Sequence, residues 1–153
     1  MAKARLPRAI FEFVERGTED DLLIRQNREA LDRIKFAPRV LRDVSERDQS
    51  ITLFGRRQPL PLVIAPTGIA DLMWFQGERA IARAAARHGI AFTQTTSSTT
   101  SFADIAAVLD SGRWLQLYLW ERRDLSWQLI DRARDQGFEA LVLTVDTPIL
   151  PLR

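Results

Sequence analysis

The sequence predicts an α/β fold in which about four parallel strands follow a short helical N-terminal segment. From residue 61 onward, four apolar strand-like runs alternate with three helical patterns, and no hairpin signal separates the runs. The chain has 153 residues, 46% hydrophobic and 27% charged, which is the balance of a globular domain with a core. On pattern alone, a barrel and an open doubly wound sheet are both possible. No G-x-G-x-x-G motif follows a strand, which disfavours a dinucleotide site.

Two helices are predicted before the sheet. Residues 6–16 carry a helical apolar stripe that includes Phe13. Thr18 is a candidate N-cap for a second helix that extends to about Ile34, because acidic residues follow it in the first turn. The apolar side chains of this second helix are expected to face inward, namely Leu22, Leu23, Leu31 and Ile34.

The remaining elements follow in order along the chain. Residues 36–60 are predicted to be irregular apart from a short strand at 51–54, with Gly55 and the pair Arg56-Arg57 in the turn after it. The four runs that predict strands are residues 62–65, 91–94, 114–118 and 140–145, and the first is a continuous apolar run typical of a strand buried on both faces. The helices predicted between them are residues 77–88, 102–109 and 125–136. Gly89 stands where a helix C′ residue belongs, and Ser101 is a candidate cap.

Composition excludes several classes of protein. The net charge is +2 with a pI near 9.6, but the arginines are spread among acidic residues, so no nucleic-acid partner is predicted. No cysteine is present, so neither a disulfide framework nor a thiolate metal site is expected. No apolar run approaches the ~20 residues that span a bilayer, and Glu12 and Glu15 interrupt any signal-peptide core. A cytoplasmic location is expected, and membrane association stays open.

Polar residues stand in or directly after the carboxyl-terminal part of each predicted strand, at the end where parallel α/β folds bind ligands. They include Thr67, Gln116, Tyr118, Thr144 and Asp146. Hydroxyl, amide and phenol groups at one opening would hydrogen-bond the edge of a flat heteroaromatic ring. The alternative is that such residues stand at strand ends for capping alone, and that Asp146 only forms an Asx turn.

Five motifs follow one another along the chain: LPRAIFEFVERGTEDD, LPLVIAPTGI, GERAIARAAARHGIAFTQTTSS, WLQLYLW and LVLTVDTP. In order and spacing they resemble the FMN-dependent 2-hydroxy-acid dehydrogenases and oxidases, a family that includes glycolate oxidase, L-lactate dehydrogenase and mandelate dehydrogenase. The resemblance implies the N-terminal half of a (β/α)8 TIM barrel, since a whole barrel takes about 250 residues. Residues 1–153 would be one partial domain, with residues 1–60 as the N-terminal segment and residues 61–153 as the first four βα units.

The resemblance also implies a set of site residues. FMN would be bound at the mouth of the barrel by Ala65, Pro66, Thr67, Gly68, Thr95, Gln116 and Thr144. Tyr118 would hydrogen-bond the substrate hydroxyl or carboxylate, and the guanidinium of Arg153 would pair with the carboxylate. Asp146 would hold the family's catalytic histidine and stabilise its imidazolium form.

Two departures from the family pattern affect the expected function. Phe13 replaces a tyrosine whose hydroxyl contacts the substrate carboxylate, and the only histidine, His88, is expected at a helix end rather than in the site. The family activity is FMN-dependent oxidation of an L-2-hydroxy acid to a 2-oxo acid. The catalytic histidine belongs to the second half of the family fold, so the isolated chain is expected to be inactive and to self-associate or pair with a missing half. The alternative is a non-catalytic half barrel, acting as an assembly partner or left by a decayed gene.

Overall fold

The computed structural model describes residues 2–146, which form two compact units divided after Arg47. The first unit contains a 3-10 turn at Ala2–Ala4, helix α1 at Arg8–Glu15 and helix α2 at Leu22–Arg33. No residue of either helix is buried. The prediction that the leucines of α2 face inward is therefore wrong, since two short helices provide no second layer to cover them. Thr18 does not cap α2, because the helix begins only after Asp21, whose backbone is left-handed.

The second unit begins with an antiparallel hairpin. Strand β1 covers Ile51–Leu53 and strand β2 covers Arg56–Gln58. The turn consists of Phe54 and Gly55, both at positive φ, which is the geometry that two-residue hairpin turns require. Arg56 and Arg57 do not lie in the turn, as was predicted, because these two residues already pair with β1.

The larger sheet contains, within the described residues, strands β3 at Val63–Ile64, β4 at Ala91–Thr95, β5 at Arg113–Leu117 and β6 at Ala140–Leu143. The strands are parallel and lie in the order β3-β4-β5-β6, which confirms the predicted α/β fold. Each strand lies beside the strand that precedes or follows it in the sequence, which is the strand order of a (β/α)8 barrel. In a doubly wound sheet, by contrast, the strand order reverses. The first run is only partly buried, so the prediction of burial on both faces is wrong for β3, which has one paired neighbour in the part of the chain that the structure describes.

Three helices connect these strands: α3 at Gly77–His88, α4 at Phe102–Ala106 and α5 at Arg123–Asp135. The predicted bounds of α3 are confirmed, and Gly89 follows it at φ 63°, where a glycine carries no Cβ penalty. Ser101 caps α4 as predicted, because its Oγ accepts a hydrogen bond from the Asp104 N–H at 3.1 Å.

The core lies between these helices and one face of the sheet. Its main cluster consists of Ala82, Ala85, Ile90, Phe92, Ile105 and Leu109. A second cluster beneath α5 contains Phe102, Leu115 and Ala133. Since alternate residues of a strand face opposite sides, Phe92 and Leu115 turn towards the helices while Thr95 and Gln116 turn to the other face. Among the described residues, no helix has the length and apolar character needed to cross a membrane.

Candidate functional site

Hydrogen bonds join the carboxyl ends of β4, β5 and β6 into one polar run. The Thr96 N–H donates to Gln116 Oε1 at 3.2 Å, and the Thr96 hydroxyl donates to the Gln116 carbonyl at 2.8 Å. Gln116 Nε2 then donates to Thr144 Oγ1 at 2.7 Å. Gln116 is only 2% exposed, so the orientation of its amide is fixed by these partners. The structure thus brings two of the residues singled out in the sequence, Gln116 and Thr144, into direct contact.

Gln116 and Thr144 each keep a hydrogen for which no acceptor is described in residues 2–146. The Gln116 amide nitrogen carries two hydrogens and Thr144 accepts one, while the Thr144 hydroxyl accepts that bond and keeps its own hydrogen. Thr95 pairs with Gln116 across the sheet and therefore shares its face. The Thr95 Oγ1 atom is buried and has no hydrogen-bond partner among the described residues. A buried hydroxyl without a partner costs free energy, and a polar ligand at this face would remove that cost.

The loop after β3 lies beside the loop after β4. A Cβ placed on Gly68 would stand 3.7 Å from the Cβ of Ser97, so the two loops approach at this point. Thr67 donates to the carbonyl of Ala65 within its own loop, at 3.4 Å. Residues 65–68 are exposed, Pro66 among them, and their backbone is accessible to a ligand. The loop therefore lies at the same edge of the sheet as the hydrogen-bonded residues Thr96, Gln116 and Thr144.

Of the three residues with a predicted catalytic or substrate role, Tyr118 and Asp146 lie within the described residues. Tyr118 follows β5 and is 41% exposed, and its backbone N–H donates to Thr96 Oγ1 at 3.1 Å. Asp146 stands in an exposed bend after β6. Arg153 lies outside the described residues. Phe13 belongs to α1 in the other compact unit, where it is exposed. The catalytic or substrate roles of Tyr118, Asp146 and Arg153 stay predictions, and Phe13 was assigned no such role.

A carboxylate that the sequence analysis did not single out connects α3 to the loop after β4. Asp71 Oδ1 accepts from the Glu78 N–H at 3.1 Å, and Oδ2 accepts from the hydroxyls of Thr99 at 2.8 Å and Thr100 at 3.0 Å. Burial is the largest single influence on Asp71 and opposes its ionisation. Four hydrogen bonds to the carboxylate have the opposite effect, and their sum exceeds the effect of burial, so the pKa of Asp71 lies below its ordinary value. The donors are Glu78, Thr99, Thr100 and the Gly77 N–H.

A second acidic residue, Glu78, contacts the same loop from the first turn of α3. The Ser98 hydroxyl donates to Glu78 Oε2, and Gln94 Nε2 donates both to Ser98 Oγ at 2.9 Å and to the Thr100 carbonyl at 2.7 Å. Glu78 and Gln94 are both almost fully buried. The available signal in the sequence was a glutamine inside an otherwise buried strand, but acidic residues in a first helical turn are usually exposed, so Glu78 was missed.

Comparison with known proteins places these features in a family. The model of the family described as FMN-dependent dehydrogenase matches residues 2–153. The chain is 40% identical over 153 residues to glycolate oxidase 1 of Oryza sativa subsp. indica, covering 100% of this chain and 42% of that protein. It is 41% identical over 154 residues to a putative L-lactate dehydrogenase of Mycobacterium tuberculosis, covering 100% of this chain and 37% of that protein. The chain therefore spans about two fifths of the length of these curated relatives.

Solved structures agree with the sequence comparison. A variant of an active chimera of (S)-mandelate dehydrogenase superposes with a TM-score of 0.91 at 36% identity, over 99% of this chain and 43% of that chain. A mandelate oxidase variant carrying a C4a-OH-FMN adduct gives a TM-score of 0.89 at 40% identity, over 99% of this chain and 46% of that chain. A soluble mutant of the membrane-associated (S)-mandelate dehydrogenase of Pseudomonas putida also gives 0.91, at 36% identity and over 99% of this chain and 43% of that chain.

Proposed function

Because the chain belongs to the FMN-dependent dehydrogenase family, we propose that it supplies the flavin-facing strand ends of a site that oxidises a 2-hydroxy acid to a 2-oxo acid. The fold corresponds to part of the family's TIM barrel, and FMN is the cofactor of the family. The observation that carries the proposal is the hydrogen-bonded run of Thr96, Gln116 and Thr144 beside the unpartnered Thr95 hydroxyl. This edge of the sheet is where barrel enzymes place their sites.

The donor set of this edge fits a flavin. The Thr95 hydroxyl, the second Gln116 N–H and the Thr144 hydroxyl would hold the polar edge of FMN or its ribityl chain, with the backbone of residues 65–68 beside the ring. A flavin at this position gives the Thr95 hydroxyl the partner that the described residues lack. Bound FMN supplies the acceptor for the hydride equivalent that leaves the substrate's carbinol carbon.

The substrate is proposed to be recognised by its carboxylate and hydroxyl groups. The names of the relatives refer to glycolate, L-lactate and mandelate, which share a carboxylate beside a hydroxyl-bearing carbon. Tyr118 would donate its phenol hydrogen to one of these groups, and Arg153 would pair with the carboxylate. Asp146 would orient an imidazole that removes a proton from the substrate. His88 is not that base, because it ends α3 directly before β4, at the amino edge of the sheet.

The test is a titration of FMN into the chain, followed by anaerobic addition of glycolate, (S)-lactate or (S)-mandelate. We expect binding to quench the flavin fluorescence, whereas bleaching of the visible flavin band by one of these acids would contradict the expectation that the chain is inactive alone. Gln116→Leu should weaken FMN binding more than about tenfold, because it removes the donor to the flavin and the link to Thr144. Ser126→Ala is the control, since Ser126 is buried and accepts from the Trp120 N–H at 3.1 Å. Absence of FMN binding, or a Gln116→Leu variant that binds like the parent, would refute the proposal.

Self-association or pairing with a second barrel half also remains a proposal. It is supported by strand β6, which pairs with one neighbour within the described residues and leaves Leu141 and Leu143 partly exposed. Such an edge offers unpaired backbone groups and apolar surface to another chain. Light scattering should report an assembly larger than one chain, and a monodisperse monomer would contradict this part of the proposal. The alternative of a non-catalytic half barrel stays a prediction.

A further inference from the structure

The hydroxyl of Ser98 has its complete set of hydrogen bonds. Its single hydrogen has two acceptors within reach, Glu78 Oε2 and, at 3.0 Å, the Thr100 carbonyl, and its oxygen accepts from Gln94 Nε2 at 2.9 Å and from the Thr100 N–H at 3.1 Å. A serine hydroxyl offers one donor and two acceptor positions, so all three are used. The Ser98 side chain is therefore held in one orientation, and only the bond to Glu78 involves a carboxylate.

The backbone of Ser98 closes the turn that carries Thr96. Its N–H donates to the Thr95 carbonyl at 3.1 Å, so residues 95–98 form a hydrogen-bonded turn at the end of β4. Thr96 lies inside this turn, and its N–H donates to Gln116 Oε1. That bond determines which end of the Gln116 amide faces Thr96, and it leaves Nε2 to face Thr144. The position of the turn thus decides the orientation of the amide.

Glu78 is costly to bury for the sake of stability alone. It is 2% exposed, and its Oε1 atom has no hydrogen-bond partner among the described residues. A carboxylate near a helix N-terminus is favoured by the helix dipole, but an unpartnered buried oxygen is not. The Glu78 N–H donates to Asp71 Oδ1, but among the described residues the Glu78 side chain makes one hydrogen bond, and that bond is with Ser98 in the turn.

We propose that Glu78 is a positioning residue which, through Ser98 and the turn at residues 95–98, sets the flavin-facing orientation of the Gln116 amide. The effect on the turn follows from the hydrogen bonds alone. The effect on flavin rests on the proposed function, and the two are measured separately.

The experiment compares two test variants with two matched controls. Glu78→Gln keeps the shape of the side chain and removes its charge, and Ser98→Ala removes the hydroxyl. The control for the first is Glu139→Gln, because Glu139 accepts from the Gly112 N–H at 2.7 Å near the opposite end of the sheet. The control for the second is Ser126→Ala, which also removes a buried hydroxyl that accepts a backbone N–H.

Hydrogen exchange of individual amides, followed by NMR in the ligand-free chain, is the first readout. In both test variants we expect exchange of the Thr96 and Tyr118 amides to accelerate about tenfold relative to amides in the middle of β4, as for the loss of one charge-assisted hydrogen bond. The side-chain amide resonances of Gln116 should shift as well. In the controls these amides should change by less than about twofold. Equal acceleration across the whole sheet, or no difference from the controls, overturns the proposal.

FMN affinity is the second readout, with FMN itself as the probe. Both test variants should bind FMN about tenfold more weakly than the parent chain, while the controls stay within about twofold. If exchange changes and FMN affinity does not, the link between the turn and the flavin is overturned. If the parent chain binds no FMN, the proposed function fails, and the exchange measurement still decides whether Glu78 positions the turn.

Discussion

The helix termini at the two ends of the larger sheet are contacted by side chains of opposite charge. At the amino end, Arg113 donates to the Leu109 carbonyl and, at 3.2 Å, to the Gly137 carbonyl, while Arg56 donates to the Gly89 carbonyl at 3.3 Å. These carbonyls follow the last turns of α4, α5 and α3. At the carboxyl end, the carboxylate of Asp71 instead accepts from backbone N–H groups at the start of α3.

The two edges differ in the charges that stabilise the helix termini and in the buried polar atoms that lack a hydrogen-bond partner. Helices that return between parallel strands place their C-termini at the amino edge and their N-termini at the carboxyl edge, so arginines suit one edge and acids the other. The carboxyl edge, however, also buries oxygen atoms without partners among the described residues: Glu78 Oε1, Gln94 Oε1 and Thr95 Oγ1. Two nitrogen atoms are also buried without partners among the described residues, Arg79 Nε in the first turn of α3 and Arg113 Nε at the amino edge. We infer that the amino edge serves stability, whereas the carboxyl edge retains capacity to bind a ligand.

The largest effect on stability is expected at the amino edge. Arg113→Met should lower the free energy of unfolding by about 3 kcal/mol, because it leaves the Leu109 and Gly137 carbonyls without their charged donor. FMN affinity should stay within about twofold of the parent. Urea denaturation followed by circular dichroism measures the first quantity and fluorescence titration the second. Arg134→Met is the control, because Arg134 is 69% exposed and should contribute less than about 0.5 kcal/mol. Equal losses of stability and FMN affinity would contradict the separation of the two edges.

A glycine substitution at the amino edge also tests the stabilising role of that edge, and its expected effect on the unfolding free energy is smaller. Gly112 has a φ of 77°, and an added Cβ would stand 3.2 Å from the Ala91 Cα and also meet the guanidinium of Arg56. Gly112→Ala should therefore cost about 2 kcal/mol of unfolding free energy, from the left-handed backbone and the crowding together. Gly55 has a φ of 79° with nothing within 4 Å of its Cβ position, so Gly55→Ala should show only the backbone cost of about 1 kcal/mol. Equal costs at both positions would exclude crowding at Gly112.

The sequence predicted those features that depend on neighbouring residues. The bounds of α3, the glycine after it and the Ser101 cap were all evident, because each is determined within one or two turns of the chain. The resemblance to the family placed Gln116 and Thr144 at neighbouring strand ends. The contacts of Asp71 and Glu78 with the loop after β4 were not predictable, because they join residues at least 20 positions apart and depend on how α3 packs. The exposure of the leucines of α2 was not predicted, because the periodicity of apolar residues shows that a helix has an apolar face but not whether another element packs on it.

A test at the carboxyl edge uses pH. The hydrogen bonds to Asp71 lower its pKa in the folded chain, so its ionised form stabilises the fold. This contribution is fully present above the ordinary aspartate pKa of about 4 and is lost as pH falls through the lowered folded value. Asp71→Asn should therefore cost about 1.5 kcal/mol at pH 7, and the gap to the parent should shrink below about pH 4. Urea denaturation at pH 7 and pH 3 measures both gaps. An equal gap at both values would mean that the charge of Asp71 does not matter.

The smallest effect separates stability from binding most directly, because the two are expected to change in opposite directions. The Thr95 hydroxyl is buried without a partner among the described residues, and valine has the same branched shape and suits a strand. Thr95→Val should raise the unfolding free energy of the ligand-free chain by up to about 1 kcal/mol, and it should weaken FMN binding by about fivefold or more. Urea denaturation and fluorescence titration report the two changes.

The contrast with the next residue makes this outcome decisive. The Thr96 hydroxyl donates to the Gln116 carbonyl and accepts from the Tyr118 N–H, so Thr96→Val should lower the unfolding free energy by about 1 kcal/mol or more. Two adjacent threonine-to-valine changes should therefore alter stability with opposite signs. If Thr95→Val destabilises the chain as Thr96→Val does, the Thr95 hydroxyl already has a role in the ligand-free fold. The carboxyl edge would then lack the unused donor on which its proposed function depends.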